Sequence, residues 1–265
     1  MLDYHLHTTY SEDSIIPPDE LCRIALAAGL KEIAITDHMD IDWPFKPYRY
    51  EIDDMDKYIA AVRELQKAYD GKLTIRLGVE FGLRPHTLEK FREIAKYPFD
   101  FIIGSIHIVD GMDPFMKEYY EHRNKEKSYT DYYETIYKLI TAFDEYSVLG
   151  HLDYLRRYCV YPYDERDHLI GLDIIEEILR HLIHAGKGIE VNTSGFRHCS
   201  GQSLPHPDIL KLYRSLGGEI LTLGSDAHEP RYISYETRRA IEMIKNCGFE
   251  YLTSFSKRQP IFIKL

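Results

Sequence analysis

Apolar positions along this 265-residue chain fall into two alternating rhythms. Continuous or period-2 apolar runs at residues 2–5, 32–36, 73–79, 101–105, 148–150, 188–191 and 220–223 predict strands. Between them, 3.6-residue periodicity predicts helices near 18–28, 52–69, 87–96, 129–145, 168–185, 207–216 and 235–247. Pro18 suits a first helical turn, and Gly29 and Gly186 stand where a glycine would end a helix. Ser128-Tyr129-Thr130-Asp131 reads as a capping box with Asp in place of Glu. Strands spaced by helices imply βαβ crossovers and a parallel sheet. Seven such units in one unbroken series suit a closed barrel better than an open doubly wound sheet. No glycine-rich phosphate loop follows the first strand, which weakens the dinucleotide-binding alternative. The expected fold class is therefore α/β, as one domain over residues 1–265.

Two insertions interrupt the rhythm. Residues 39–50 hold Trp43, Phe45, Tyr48 and Tyr50, and residues 109–127 hold Met112, Phe115, Met116, Tyr119 and Tyr120. Long loops after strands commonly build substrate walls or lids. Two loops folded onto small apolar clusters of their own fit the pattern equally well.

Composition narrows the class. With 44% apolar and 29% charged residues the chain has the make-up of a soluble globular enzyme. The formal net charge of −10 speaks against nucleic acid or an anionic membrane as partner, because both need a basic face. It does not forbid an anionic small molecule, since bound cations reverse the sign locally. No apolar run approaches the roughly 20 residues that span a bilayer. Cys22, Cys159, Cys199 and Cys247 are widely spaced and read as reduced thiols. A chain that goes straight into its first strand leaves no room for a targeting segment. The expected location is the cytoplasm.

The chemistry lies at the strand ends. The first strand ends at His5 and His7, the second at Asp37-His38, the third at Glu80 and the fourth at His107. The fifth ends at His151 with Asp153, the sixth at Asn192, and the seventh at Asp226 and His228. His5 and His7 are two apart, so a strand points both to one face. In a βα barrel all these ends share one rim, where barrel enzymes do their chemistry. One buried histidine is usually a satisfied core residue. Six histidines with several carboxylates at one rim cannot all be core filler, because unpaired buried charge is too costly. Imidazole and carboxylate without thiolate suit Zn, Mn or Fe, and so many ligands imply two or three divalent ions. Glu80, alone after its strand, is the natural bridging carboxylate. His168, His181 and His184 read as surface or helix-end residues, and His86, His122 and His206 have no evident partner.

These motifs resemble the PHP (polymerase and histidinol phosphatase) family. HxH, TDH, a lone Glu, GSIH, GHLD, EVNTSG and GSDAH occur here in that family's order, over essentially the whole chain. Within the family, Gly104-Ser105-Ile106-His107 followed by Val109-Asp110-Gly111, together with Val191 to Arg197, is most similar to the histidinol-phosphate phosphatase branch. The resemblance implies a distorted (β/α)7 barrel and a trinuclear metal site. Carried over by motif, one metal takes His5, His7, Glu80 and Asp226. A second takes Glu80, His107 and His151, and a third takes His38, His228 and Asp13. It also implies phosphomonoester hydrolysis, with a hydroxide shared by metals attacking phosphorus in line.

Three ligand carboxylates cannot neutralise three divalent ions, so the pocket would be cationic within an acidic protein, as a phosphomonoester dianion requires. Arg157 and Arg197, just past the fifth and sixth strands, are candidates to clamp phosphate. Asp153 and Asp37 are candidates to orient ligand histidines, and Asp153 also to protonate the leaving alkoxide. Ser105 and Asn192 are candidates to hydrogen-bond substrate. An ammonium and an imidazole want acids and aromatic faces, which makes Trp43, Tyr119, Glu118 and Glu121 candidates. A family nuclease or phosphodiesterase would need a basic groove, an amidohydrolase-type enzyme an isolated late Asp, and a structural metal module fewer ligands.

Overall fold

The computed structural model describes residues 1–158, 160–162, 164–198 and 201–265. In chain order the elements are β1 (Leu2–Asp3), α1 (Pro18–Ala27), β2 (Glu32–Ile35), β3 (His38–Met39), α2 (Met55–Ala68) and β4 (Thr74–Gly82). There follow α3 (Leu88–Ile94), β5 (Phe101–Ser105), α4 (Lys125–Ala142), β6 (Val148–Leu149), α5 (Leu155–Tyr158), α6 (Leu172–His184) and β7 (Gly188–Asn192). The chain ends with α7 (Pro207–Ser215), β8 (Leu221–Gly224), α8 (Thr237–Asn246), β9 (Tyr251–Ser256) and β10 (Gln259–Lys264).

β1, β2, β4, β5, β6, β7 and β8 pair side by side in that order, every pair parallel. The sheet then closes on itself. Tyr4 N donates to the Leu223 carbonyl at 2.8 Å, Asp226 N to His5 O at 2.8 Å, and His7 N to Ala227 O at 3.1 Å. All seven expected strands and all seven expected helices are present as a (β/α)7 barrel. The apolar runs are legible because strands covered on both faces are buried throughout, as in β5 and β7.

Three expectations need correction. α4 begins at Lys125, not at Ser128: the Asn124 side chain caps it by accepting from Lys127 N at 2.8 Å. Ser128 lies inside that helix and donates to the Asn124 carbonyl, so no capping box forms. The helix expected from residue 168 starts at Leu172, after Gly171 at φ 69°. The antiparallel hairpin of β9 and β10 has no counterpart in the expected elements. It covers the barrel end where the strands begin: Phe101, first residue of β5, lies 5.0 Å from the Tyr4 ring and 5.1 Å from Phe255.

Cys22 and Cys247 are buried free thiols; Cys159 and Cys199 lie outside the described residues. Among the described residues no helix is long and apolar enough to cross a membrane.

Candidate metal centre and pocket

The strand ends converge through register. β3 pairs with β4 so that His38 stands beside Glu80, and the closing contact of β8 with β1 brings Asp226 and His228 to His5 and His7. Ten nitrogen and oxygen donors from nine residues then fall into three compact groups.

In the first, His5 Nε2 lies 3.2 Å from Glu80 Oε2 and 3.8 Å from Asp226 Oδ1, and His7 Nε2 lies 3.6 and 3.5 Å from the same two atoms. In the second, Glu80 Oε1, His107 Nε2 and His151 Nε2 stand 3.1, 3.3 and 3.4 Å apart. In the third, His38 Nε2, His228 Nε2 and Asp13 Oδ2 stand 3.3, 3.4 and 3.6 Å apart. Ligand atoms about 2.0–2.1 Å from one tetrahedral ion sit about 3.3 Å from one another. Each group could therefore hold a divalent ion, and Glu80 offers one oxygen to each of two.

The buried polar atoms support the same fit. His5 Nε2, His7 Nε2 and Glu80 Oε2 are buried without a hydrogen-bond partner among the described residues. Such atoms are costly unless something binds them. The opposite ring nitrogens are held from behind. His5 Nδ1 meets Glu190 Oε1 at 2.6 Å, and His228 Nδ1 donates to the Asp226 carbonyl at 3.1 Å. His7 Nδ1 lies 3.1 Å from Ser11 Oγ, which in turn donates to Asp37 Oδ1 at 2.8 Å. These contacts leave each Nε2 lone pair aimed inward.

The charges balance locally. Burial alone would push the Glu80 carboxyl up, but His5, His107 and His38 outweigh it and hold it well below the usual range. Asp226 is likewise held low against burial by Arg157 and His5. Asp13 is the most exposed donor at 38%; burial raises it, and His38 and His228 more than reverse this. Burial, then the neighbouring His228 and His38, keep His7 neutral, the form that ligates.

A cleft of about 230 Å³ opens beside these groups. Trp43 and Tyr50 from the first insertion and Asp113 and Phe115 from the second line it, facing Tyr154, Arg157 and Tyr158. Both insertions thus contribute to the wall. Arg157 Nη2 donates to Asp226 Oδ2 at 2.6 Å and to Ser194 Oγ, with its guanidinium 5.2 Å from the Tyr154 ring centre. Arg197 stacks on Tyr232 at 4.0 Å and donates to the Ser225 and Asp226 carbonyls. Burial, Arg157 and Arg197 together lower His198 to about 4, the mark of a locally positive corner.

Several candidates stand elsewhere than expected. Asp153 turns away from the cleft: Oδ2 accepts from Arg156 Nη1 at 2.8 Å and from the His206 N–H at 3.1 Å. Ser105 donates to Glu80 Oε1 at 2.6 Å, and Asn192 Nδ2 donates to Asp226 and Glu190. Both brace donors and neither lines the cleft. Tyr119 is fully buried under Arg123, and it, Glu118 and Glu121 are likewise absent from the lining. Asp37 braces the His7 ring through Ser11 and pins Thr8, and does not touch the His38 ring; burial pushes its carboxyl up to about 6. His168, expected at the surface or at a helix end, lies just before α6, is buried and stacks on His206 at 3.8 Å. Glu190, Ser11 and Asp113 were given no role by the sequence; of the three only Glu190 sits inside a quoted motif, as the first residue of EVNTSG.

A βα barrel whose rim gathers imidazoles and carboxylates into three ion-sized groups defines a metal-dependent hydrolase architecture. The PHP domain family matches residues 3–194, and the chain belongs to that family. It is 31% identical to the histidinol-phosphatase of Lactococcus lactis, over 96% of this chain and 94% of that one. It is 32% identical to a probable histidinol-phosphatase of Clostridium acetobutylicum, over 94% and 95%. The crystal structure of the Lactococcus lactis histidinol phosphate phosphatase complexed with zinc, L-histidinol and phosphate matches it with a TM-score of 0.89 at 30% identity, covering 98% of each chain.

Proposed function

We propose that this protein is a histidinol-phosphatase, hydrolysing L-histidinol phosphate to L-histidinol and phosphate in histidine biosynthesis. The observation that carries the reading is the set of three donor groups beside a cleft with one inward arginine. Likeness to a relative solved with zinc, L-histidinol and phosphate supports the substrate.

His5, His7, Glu80 and Asp226 would hold one divalent ion, Glu80, His107 and His151 a second, and Asp13, His38 and His228 a third. Zinc fits the imidazole-rich groups, while Asp13 makes its own group harder and more tolerant of manganese or iron. When bound, such ions supply Lewis acidity and an activated water at neutral pH.

The chain's own residues do the rest. Arg157 leaves its contact with Asp226 and Ser194 to bind phosphoryl oxygens, and Arg197 adds positive potential from behind. Trp43, Tyr50, Phe115, Tyr154 and Tyr158 offer aromatic faces to the imidazole of the substrate, and Asp113 offers a carboxylate to its ammonium. The walls from both insertions keep bulk water from the reacting group.

The test is reconstitution. Protein loaded with zinc or manganese should release phosphate from L-histidinol phosphate, and a chelator should abolish the activity while the fold persists. Unfolding on chelation, with no phosphatase activity when loaded, would instead mark a structural metal module.

A further inference from the structure

Asp40 is a buried carboxylate that the proposed reaction does not use. It is 2% exposed, follows β3 directly, and is anchored through its N–H to the Tyr50 carbonyl at 2.6 Å. Its Oδ1 lies 2.8 Å from His107 Nδ1. Its Oδ2 lies 3.5 Å from His38 Nδ1 and has no hydrogen-bond partner among the described residues. β4 makes room for it: a Cβ on Gly82 would fall 1.8 Å from Asp40 Oδ1, so the strand carries glycine where the carboxylate sits.

Burying a carboxylate costs several kcal/mol unless specific groups compensate it. Here the groups that face it are the back edges of two imidazoles from two different donor groups. A neutral imidazole carries one proton, so an acceptor at Nδ1 leaves Nε2 bare. His107 Nε2 then points at Glu80 Oε1 and His151 Nε2, 3.3 and 3.4 Å away.

We propose that Asp40 is a positioning residue that makes the Glu80–His107–His151 group competent for a divalent ion by holding His107 in its Nδ1–H form. The proposal rests on the metal reading above. It goes beyond that reading by predicting a selective effect, because Asp40 touches His107 closely, His38 only weakly, and no donor of the His5–His7 group.

The experiment compares wild type with Asp40→Asn, an isosteric change that leaves the cavity filled. Zinc stoichiometry and stepwise affinity are measured by chelator competition. The tautomer of His107 in zinc-loaded protein, where the ring is neutral, is read from long-range ¹⁵N–¹H correlations. Wild type should show His107 protonated at Nδ1. Asp40→Asn should lose about 10- to 100-fold affinity for one zinc equivalent, leave the others within about 2-fold, and mix the tautomers. Gly82→Ala, which presses on Asp40 without removing its charge, should weaken the same equivalent. A wild type that takes up zinc while Asp40→Asn matches it at every step, with His107 unchanged, overturns the proposal alone. A wild type that takes up no zinc overturns the metal reading together with it.

Discussion

Glu190 and His5 stand 185 positions apart in sequence, yet Glu190 Oε1 lies 2.6 Å from His5 Nδ1, both side chains fully buried. The other Glu190 oxygen accepts the His151 backbone N–H at 2.8 Å. One carboxylate thus aims the ring of one proposed ligand and fixes the backbone of another. Glycine makes this possible, since a Cβ on Gly224 would come 2.3 Å from His5 Cβ and 2.4 Å from Glu190 Oε1. Glu190→Gln should lower zinc affinity and kcat by about 10- to 100-fold with little change in KM. Chelator competition and steady-state kinetics check it, and a kcat within 2-fold of wild type would refute it.

Metal loading should depend steeply on pH. In the metal-free protein burial would lower His107, but Asp40 and Glu80 outweigh it and raise it to about 10; Glu190 and Glu80 likewise raise His5. Both are protonated at neutral pH, so an ion must displace their protons. Affinity therefore rises with pH toward 10. The same shift stabilises the metal-free fold: for His107 the contribution is complete below about 6.5 and is lost as pH climbs through about 10. Calorimetric titrations in buffers of different ionisation enthalpy should show proton release at pH 7. Zinc affinity equal at pH 6 and pH 8 would contradict this.

Asp153 is expected to matter for stability first. Its pairing with Arg156 is buried, with side-chain exposures of 0% and 3%, and removing one member of such a pair typically costs about 3–5 kcal/mol. Asp153→Ala should lower the melting temperature markedly while the surviving folded fraction keeps near-normal KM. A variant with wild-type stability and a lost kcat would return Asp153 to the catalytic role suggested by its place two residues after His151.

Asp113 should govern recognition of the cationic part of the substrate. Burial raises its carboxyl to about 6, with the Phe115 N–H opposing. An ammonium needs the ionised form, so KM should rise as pH falls below about 6. Asp113→Asn should raise KM by about 10-fold or more, equivalent to about 1.4 kcal/mol or more, and flatten that pH limb relative to wild type. A KM unchanged by the substitution would remove Asp113 from the binding site.

The barrel was legible because each parallel strand is a short apolar run ending in a polar residue. β9 and β10 were not. β10 is exposed along its whole length, and its turn places Lys257 and Arg258 at φ 50° and 64° without the usual glycine or asparagine. Donor positions could be placed at strand ends, since a barrel puts those ends on one rim. What braces them could not, because Glu190 and Ser11 act across strands or through a third group. Asp153 shows the converse: standing next to a proposed ligand in sequence says nothing about which way a side chain turns after the strand ends. Tyr119 and Glu118 lie in the right insertion, but that segment puts Asp113 and Phe115 on the cleft and Tyr119 into the core.

The most direct test is substrate discrimination by the metal-loaded protein. Phosphate release from L-histidinol phosphate is compared with sugar phosphates, nucleotides and a phosphodiester. The account predicts a kcat/KM for L-histidinol phosphate at least about 100-fold above every other compound, about 2.7 kcal/mol of transition-state discrimination. A flat profile, or a preference for the diester, would contradict it.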